Sequence, residues 1–286
     1  MISDITLGQF FPGYSPLHKL DPRTKIILAI AAIVAIFFAN NPVSFALVTV
    51  ATLSLIIVSR ISVKVILKGI KPLIIILIFT AILNVFMTGG AGKPLVEFWI
   101  FTIYTEGIVR AVFMALRVVL LIIITSMLLT YTTSPISLTD GLESLLSPLK
   151  IIRIPVHTFA MMMSIALRFI PTLVEETEKI MNAQKSRGAD FSSGGLIKRA
   201  KALVPILIPL IVSSFKRAED LATAMECRCY RGDKNRTKLV KLQFKWRDVL
   251  WFFSFGVFVA MVILSTILPY KFTSPGMIYD IIFYTV

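Results

Sequence analysis

Five stretches of this chain, at residues 25–39, 43–58, 72–88, 108–131 and 249–268, are strongly apolar and hold no aspartate or glutamate; Arg117 is the only basic residue deep inside one of them. A hydrocarbon core about 30 Å thick needs roughly 20 residues of helix. Each stretch therefore reads as a membrane span, the first two being short and drawing on their flanks. Composition agrees: 56% of residues are apolar, 16% are charged and the mean hydropathy is +0.83, more apolar surface than a water-soluble core can hide. The sequence thus predicts an all-α integral membrane protein of about five transmembrane helices. The first apolar run follows "LHKLDPRTK" and has no small-residue cleavage site before the next span, so it reads as a span and not as a removed leader.

The formal net charge is +14. Nucleic acid is not the expected partner, because the basic residues sit beside and between apolar spans with no aromatic stacking platform interleaved. A membrane surface fits better. Lys19, Arg23 and Lys25 precede the first span, Arg60, Lys64, Lys68 and Lys71 separate the second from the third, and 18 of the 30 basic residues fall in 132–245. The alternate loops carry almost none, so the positive-inside rule predicts a cytoplasmic N-terminus and an outward C-terminus. Three segments result: an N-terminal membrane block of four spans (1–131), a cytoplasm-facing segment (132–246), and a last span with its tail (247–286).

The middle segment carries the unusual pattern. After "TTSPISLTDGLESLLSPLK", where Ser137 or Thr139 is expected to cap a short helix, Pro155 stands at a first-turn position for a long helix that is apolar to Ile170 and charged thereafter. Pro171 is expected to kink or split it. That helix runs out at Ser186-Arg187-Gly188, with Gly188 a natural C-terminal cap. A second helix, about 196–228, repeats the design, with Pro205 and Pro209 implying a bend. It runs out at Cys227-Arg228-Cys229. The two thiols make half a zinc site at best and read as small packing residues.

At these residues the chain resembles the transmembrane T component family of energy-coupling factor (ECF) transporters. "PGYSPLHKLDPRTK" resembles the family's N-terminal signature, and the blocks from "SPLKIIRIPVHTFAMMM" to "QKSRGADF" and "SSFKRAEDLATAMECRCYRG" resemble its central regions. The resemblance implies two coupling helices whose terminal arginines, here Arg187 and Arg228, dock into two cytoplasmic ATPase subunits, and a third partner, the S component, which binds a vitamin or metal substrate. ATP and Mg are then held by the ATPases, no cofactor is expected in this chain, and its place is the bacterial inner (plasma) membrane. Cys229 stands where the family pattern has its second glycine, leaving the geometry of that cap open. Open too is whether the arginines grip a partner, cap their own helices or meet lipid phosphate.

For the S component the expected contacts are Val156, Phe159, Ala160, Met163, Leu167 and Ile170 on one helix and Val204, Leu207, Ile208 and Ile211 on the other. Packing within the chain is an equal alternative for this stripe. Arg117 is expected to pair with backbone or a polar neighbour in the bundle, and Asp21, Arg23 and Lys25 to anchor the first span. Other classes are less favoured. A membrane enzyme built on paired carboxylates and a metal would want acidic residues in its spans; the cluster Glu175, Glu176 and Glu178 reads as helix solvation, with Glu175 and Lys179 as an i, i+4 pair. His18 and His157 show no serine or cysteine nucleophile arrangement beside them. "GGAGKP" at 89–94 departs from a phosphate-binding loop at Pro94, so ATP hydrolysis belongs to partners. A conventional permease that binds substrate directly is the remaining alternative.

Overall fold

The computed structural model describes residues 10–87, 96–98, 101–189, 191, 195–230, 232 and 242–267. The stretch at 89–94 and the tail beyond 267 lie outside them. In chain order the helices are α1 (Pro22–Phe38), α2 (Pro42–Ser59), α3 (Val63–Ile70), α4 (Ile74–Met87), α5 (Thr105–Thr125), α6 (Pro135–Leu145), α7 (Val156–Ser186), α8 (Leu196–Cys227) and α9 (Trp246–Ile267). Between α4 and α5 a short antiparallel hairpin pairs β1 (Val96–Phe98) with β2 (Phe101–Ile103), Val96 opposite Ile103. The described residues form two compact units, one of 10–134 together with 242–267, the other within 135–241.

Among the described residues, 42–59, 63–87, 107–131, 156–186 and 246–267 are long and apolar enough to cross a membrane, judged by length and composition. This set differs from the sequence expectation in two places. α7 enters it on the strength of its apolar first half, and α1, with 17 residues, falls just short. Yet α1 is deeply buried. Asp21 caps it by accepting a hydrogen bond from the Arg23 amide at 2.9 Å, and Pro22 fills its first turn, where a missing N–H costs nothing. Its inner face carries Leu28, Ala29, Ala32, Ala35 and Ile36, all at most 2% exposed, and the small residues let α5 and α9 approach closely.

Polar knots tie this unit at both ends of α1. At its start, Lys25 Nζ donates to the Thr132 carbonyl at 2.7 Å and to Thr133 Oγ1 at 3.2 Å, just past the π-helical turn Ser126–Tyr131 that ends α5. Asp248, at the start of α9, accepts from the amides of Asp21 (2.9 Å) and Lys245 (2.8 Å), and Asp21 and Asp248 together balance the Lys25 charge. At its end, Arg117 Nη2 donates to the Ala39 carbonyl at 2.6 Å and to Asn40 Oδ1 at 3.1 Å, with the guanidinium 5.4 Å from the Phe45 ring centroid. Asn41 Nδ2 donates to the Ser265 carbonyl at 2.9 Å, and the Ser44 and Ser265 hydroxyls meet at 2.8 Å. The expected backbone partner of Arg117 is seen, and so is the anchoring of α1 by Asp21 and Lys25, while Arg23 contributes its backbone amide to the cap.

In the unit of residues 135–241, α6 opens at Pro135, earlier than expected. Thr139 is therefore internal, its hydroxyl donating back to the Pro135 carbonyl at 3.0 Å. The His157 ring donates from Nδ1 to Glu143 at 2.9 Å and ties the first turn of α7 to α6. α7 and α8 pack on one another and run unbroken for 31 and 32 residues, through Pro171 and through Pro205 and Pro209. No split occurs at these prolines: each removes a single ladder bond, and the turns on both sides keep theirs.

Candidate functional site

The two arginines close their helices in the same way. Arg187 ends α7 with φ −88°, ψ 9°, and Arg228 ends α8 with φ −89°, ψ 15°. The next residue is left-handed in both, Gly188 at φ +86° and Cys229 at φ +56°. The Gly188 amide donates to the Lys185 carbonyl at 2.9 Å and the Ala189 amide to Gln184 at 3.0 Å; correspondingly, Cys229 donates to Glu226 at 2.8 Å and Tyr230 to Met225 at 3.1 Å. Both ends are thus Schellman caps with the same bond pattern. The glycine lost from the second motif leaves the geometry unchanged, at a cost of roughly 1–2 kcal/mol for a Cβ in the left-handed region.

These caps are made of main chain alone. Among the described residues neither guanidinium forms a hydrogen bond or ion pair, so the arginines do not cap their own helices. Ser186, Arg187, Gly188, Cys227, Arg228 and Cys229 are all exposed, and both thiols are free. A cation here is favoured by the negative end of the helix dipole, and its planar fork of five donors stays available to carboxylates, carbonyls or phosphates outside the chain.

The apolar stripe divides. Phe159, Met163, Val204, Leu207, Ile208 and Ile211 are between 40% and 57% exposed, while Leu167 and Ile170 are half-buried. Val156 and Ala160, expected as partner contacts, are instead buried at 4% and 5% exposure, because the first turns of α7 pack on α6. Met162, Val212 and Phe215 extend the exposed stripe beyond the expected set. The signal for the last two was present, since apolar residues at 204, 208, 211, 212 and 215 follow the spacing of one helix face.

Two further groupings were not legible in the sequence. Glu176 does not solvate its helix but accepts from Arg217 Nη2 of α8 at 3.1 Å. Ser15 Oγ lies 2.7 Å from His18 Nδ1, a serine–histidine contact that the sequence does not suggest. His18 Nε2 faces the Phe11 carbonyl at 2.8 Å, Ser15 is 2% exposed, and a Cβ on Gly13 would meet the ring at 3.0 Å. Boxed in this way, the pair locks the turn before α1.

Fold and site together define a multi-pass membrane protein with two matched, arginine-tipped helix ends exposed. The profile of the family described as Cobalt transport protein (CbiQ) matches residues 13–239. A Clostridium kluyveri protein named energy-coupling factor transporter transmembrane protein EcfT is 54% identical over 267 residues, covering 93% of this chain and 98% of that protein. Proteins of the same name from Ruminiclostridium cellulolyticum (54% over 265 residues, 92% and 98%) and Bacillus subtilis (46% over 268 residues, 94% and 98%) are similar along almost their whole length. The chain belongs to this family of energy-coupling factor transporter transmembrane proteins.

Proposed function

We propose that this chain is the transmembrane scaffold of an energy-coupling factor importer, carrying the work of two cytoplasmic ATPase subunits to a substrate-binding S component that brings in a vitamin or other micronutrient. The observation that carries the reading is the matched pair of Schellman caps, each presenting a guanidinium without a partner among the described residues, at the end of a helix of more than 30 residues. Such helices reach about 46–48 Å at 1.5 Å per residue. Movement of the ATPases relative to each other displaces Arg187 and Arg228, and stiff rods pass that displacement to their apolar halves. There Phe159, Met163, Val204, Leu207, Ile208 and Ile211 meet the S component, with methionine supplying an adaptable surface. The chain itself is non-catalytic and holds no cofactor, ATP and Mg residing on the ATPases. The N-terminus and both caps face the cytoplasm, a reading supported by the distribution of basic loops.

The test is co-purification with the ATPases and uptake by the assembled transporter, comparing wild type with the double variant Arg187→Ala, Arg228→Ala. The variant is expected to insert and fold normally, retain the ATPases poorly and lose transport. Unaltered uptake overturns the reading. Substrate bound by the detergent-solubilised chain without an S component would favour a conventional permease.

A further inference from the structure

We infer that Glu176 and Arg217 are a positioning pair that fixes the spacing of the two arginine caps. Their contact is a charge-assisted hydrogen bond, Arg217 Nη2 to Glu176 Oε2 at 3.1 Å, between side chains 37% and 26% exposed. It is the ion pair that joins α7 to α8 among the described residues. Its place is what matters. Glu176 lies 11 residues before Arg187 (187 − 176), and Arg217 lies 11 residues before Arg228 (228 − 217). At 1.5 Å per residue, each cap stands about 16 Å beyond the pair.

Equal arms give the pair a mechanical role that neither residue has alone. On the N-terminal side of it the helices present mostly apolar side chains, whose contacts are non-directional and tolerate sliding. On its C-terminal side Lys179, Lys185, Glu219, Asp220 and Glu226 are exposed and, among the described residues, add no ion pair between the helices. A directional, charge-assisted bond between the two regions favours one registration of α7 on α8 over its neighbours. Because the arms are equal, a turn of either helix about this point changes the separation of the two arginines by the same amount. The inference rests on the proposal that the caps engage the ATPases, but the spacing itself can be measured without them.

The experiment places spin labels at Ala183→Cys and Ala224→Cys, exposed positions one turn before each arginine, in a Cys227→Ser, Cys229→Ser background. The label-to-label distance is read by double electron–electron resonance in the chain alone and in the assembled transporter, beside substrate imported per ATP hydrolysed. Glu176→Gln and Arg217→Gln are each expected to broaden and shift the distance distribution and to lower import per ATP several-fold while the ATPases stay bound. The swap Glu176→Arg, Arg217→Glu is expected to restore both readouts. Unchanged distances in the single variants, or a swap that restores neither readout, overturns the inference. Loss of ATPase retention confined to the arginine-cap variants bears on the docking proposal, so the two failures are distinguishable.

Discussion

In the unit built around α1, α5 and α9, charges are turned inward and matched: Lys25 to the Thr132 carbonyl, Asp248 to two amides, Arg117 to the Ala39 carbonyl. In the unit of α6 to α8 the two cap arginines stand exposed, and their helices are closed without them. The first arrangement uses charge to hold helices together where apolar surroundings make an unmatched ion very costly. The second keeps the two cap charges out of folding, although His157–Glu143 and Glu176–Arg217 still tie its helices to one another. Stability and the proposed coupling role thus fall on different residues, and substitutions should separate them.

The largest effect is expected at Asp248→Ala, which orphans the Asp21 and Lys245 amides and leaves Lys25 short of its counter-charge. A loss of about 3–5 kcal/mol is expected in detergent unfolding of the purified chain. A near-normal midpoint would break the contrast between the units. Next comes Arg117→Met, which removes the charged donor to Ala39 and Asn40 and should cost about 2 kcal/mol by the same measurement. Smaller again are the caps: Cys229→Gly relieves the left-handed Cβ and should stabilise by about 1 kcal/mol, while Gly188→Ala imposes one and should destabilise by a similar amount. Equal and opposite shifts would sharpen the equivalence of the two ends. The smallest effect on folding belongs to Arg187→Ala, within about 0.5 kcal/mol, as for other surface positions without a partner. A large stability loss there would mean that the guanidinium holds its own helix together.

Much of the architecture was readable because the signals are local. The apolar runs and the stop at Gly188 each depend on residues within a turn or two. The second cap was less legible: Cys229 gives no hint of a left-handed backbone, since a non-glycine residue takes that conformation only where the surrounding bonds, here from Cys229 and Tyr230 to the preceding turn, over-determine it. Val156 and Ala160 illustrate the opposite difficulty. Their apolar character is the same whether a partner or α6 covers them, and sequence alone does not distinguish the cover.

The sequence by itself determined a membrane-embedded helical chain and the family to which its motifs belong, because helix length, hydropathy and cap chemistry are properties of neighbouring residues. Only the tertiary structure decided which charges are matched. Lys25 finds the Thr132 carbonyl, the Asp248 carboxylate finds the Asp21 amide and Glu176 finds Arg217, across 107, 227 and 41 residues of chain. Such pairs are chosen by the packing of whole helices, and no local rule selects one partner among many of like charge.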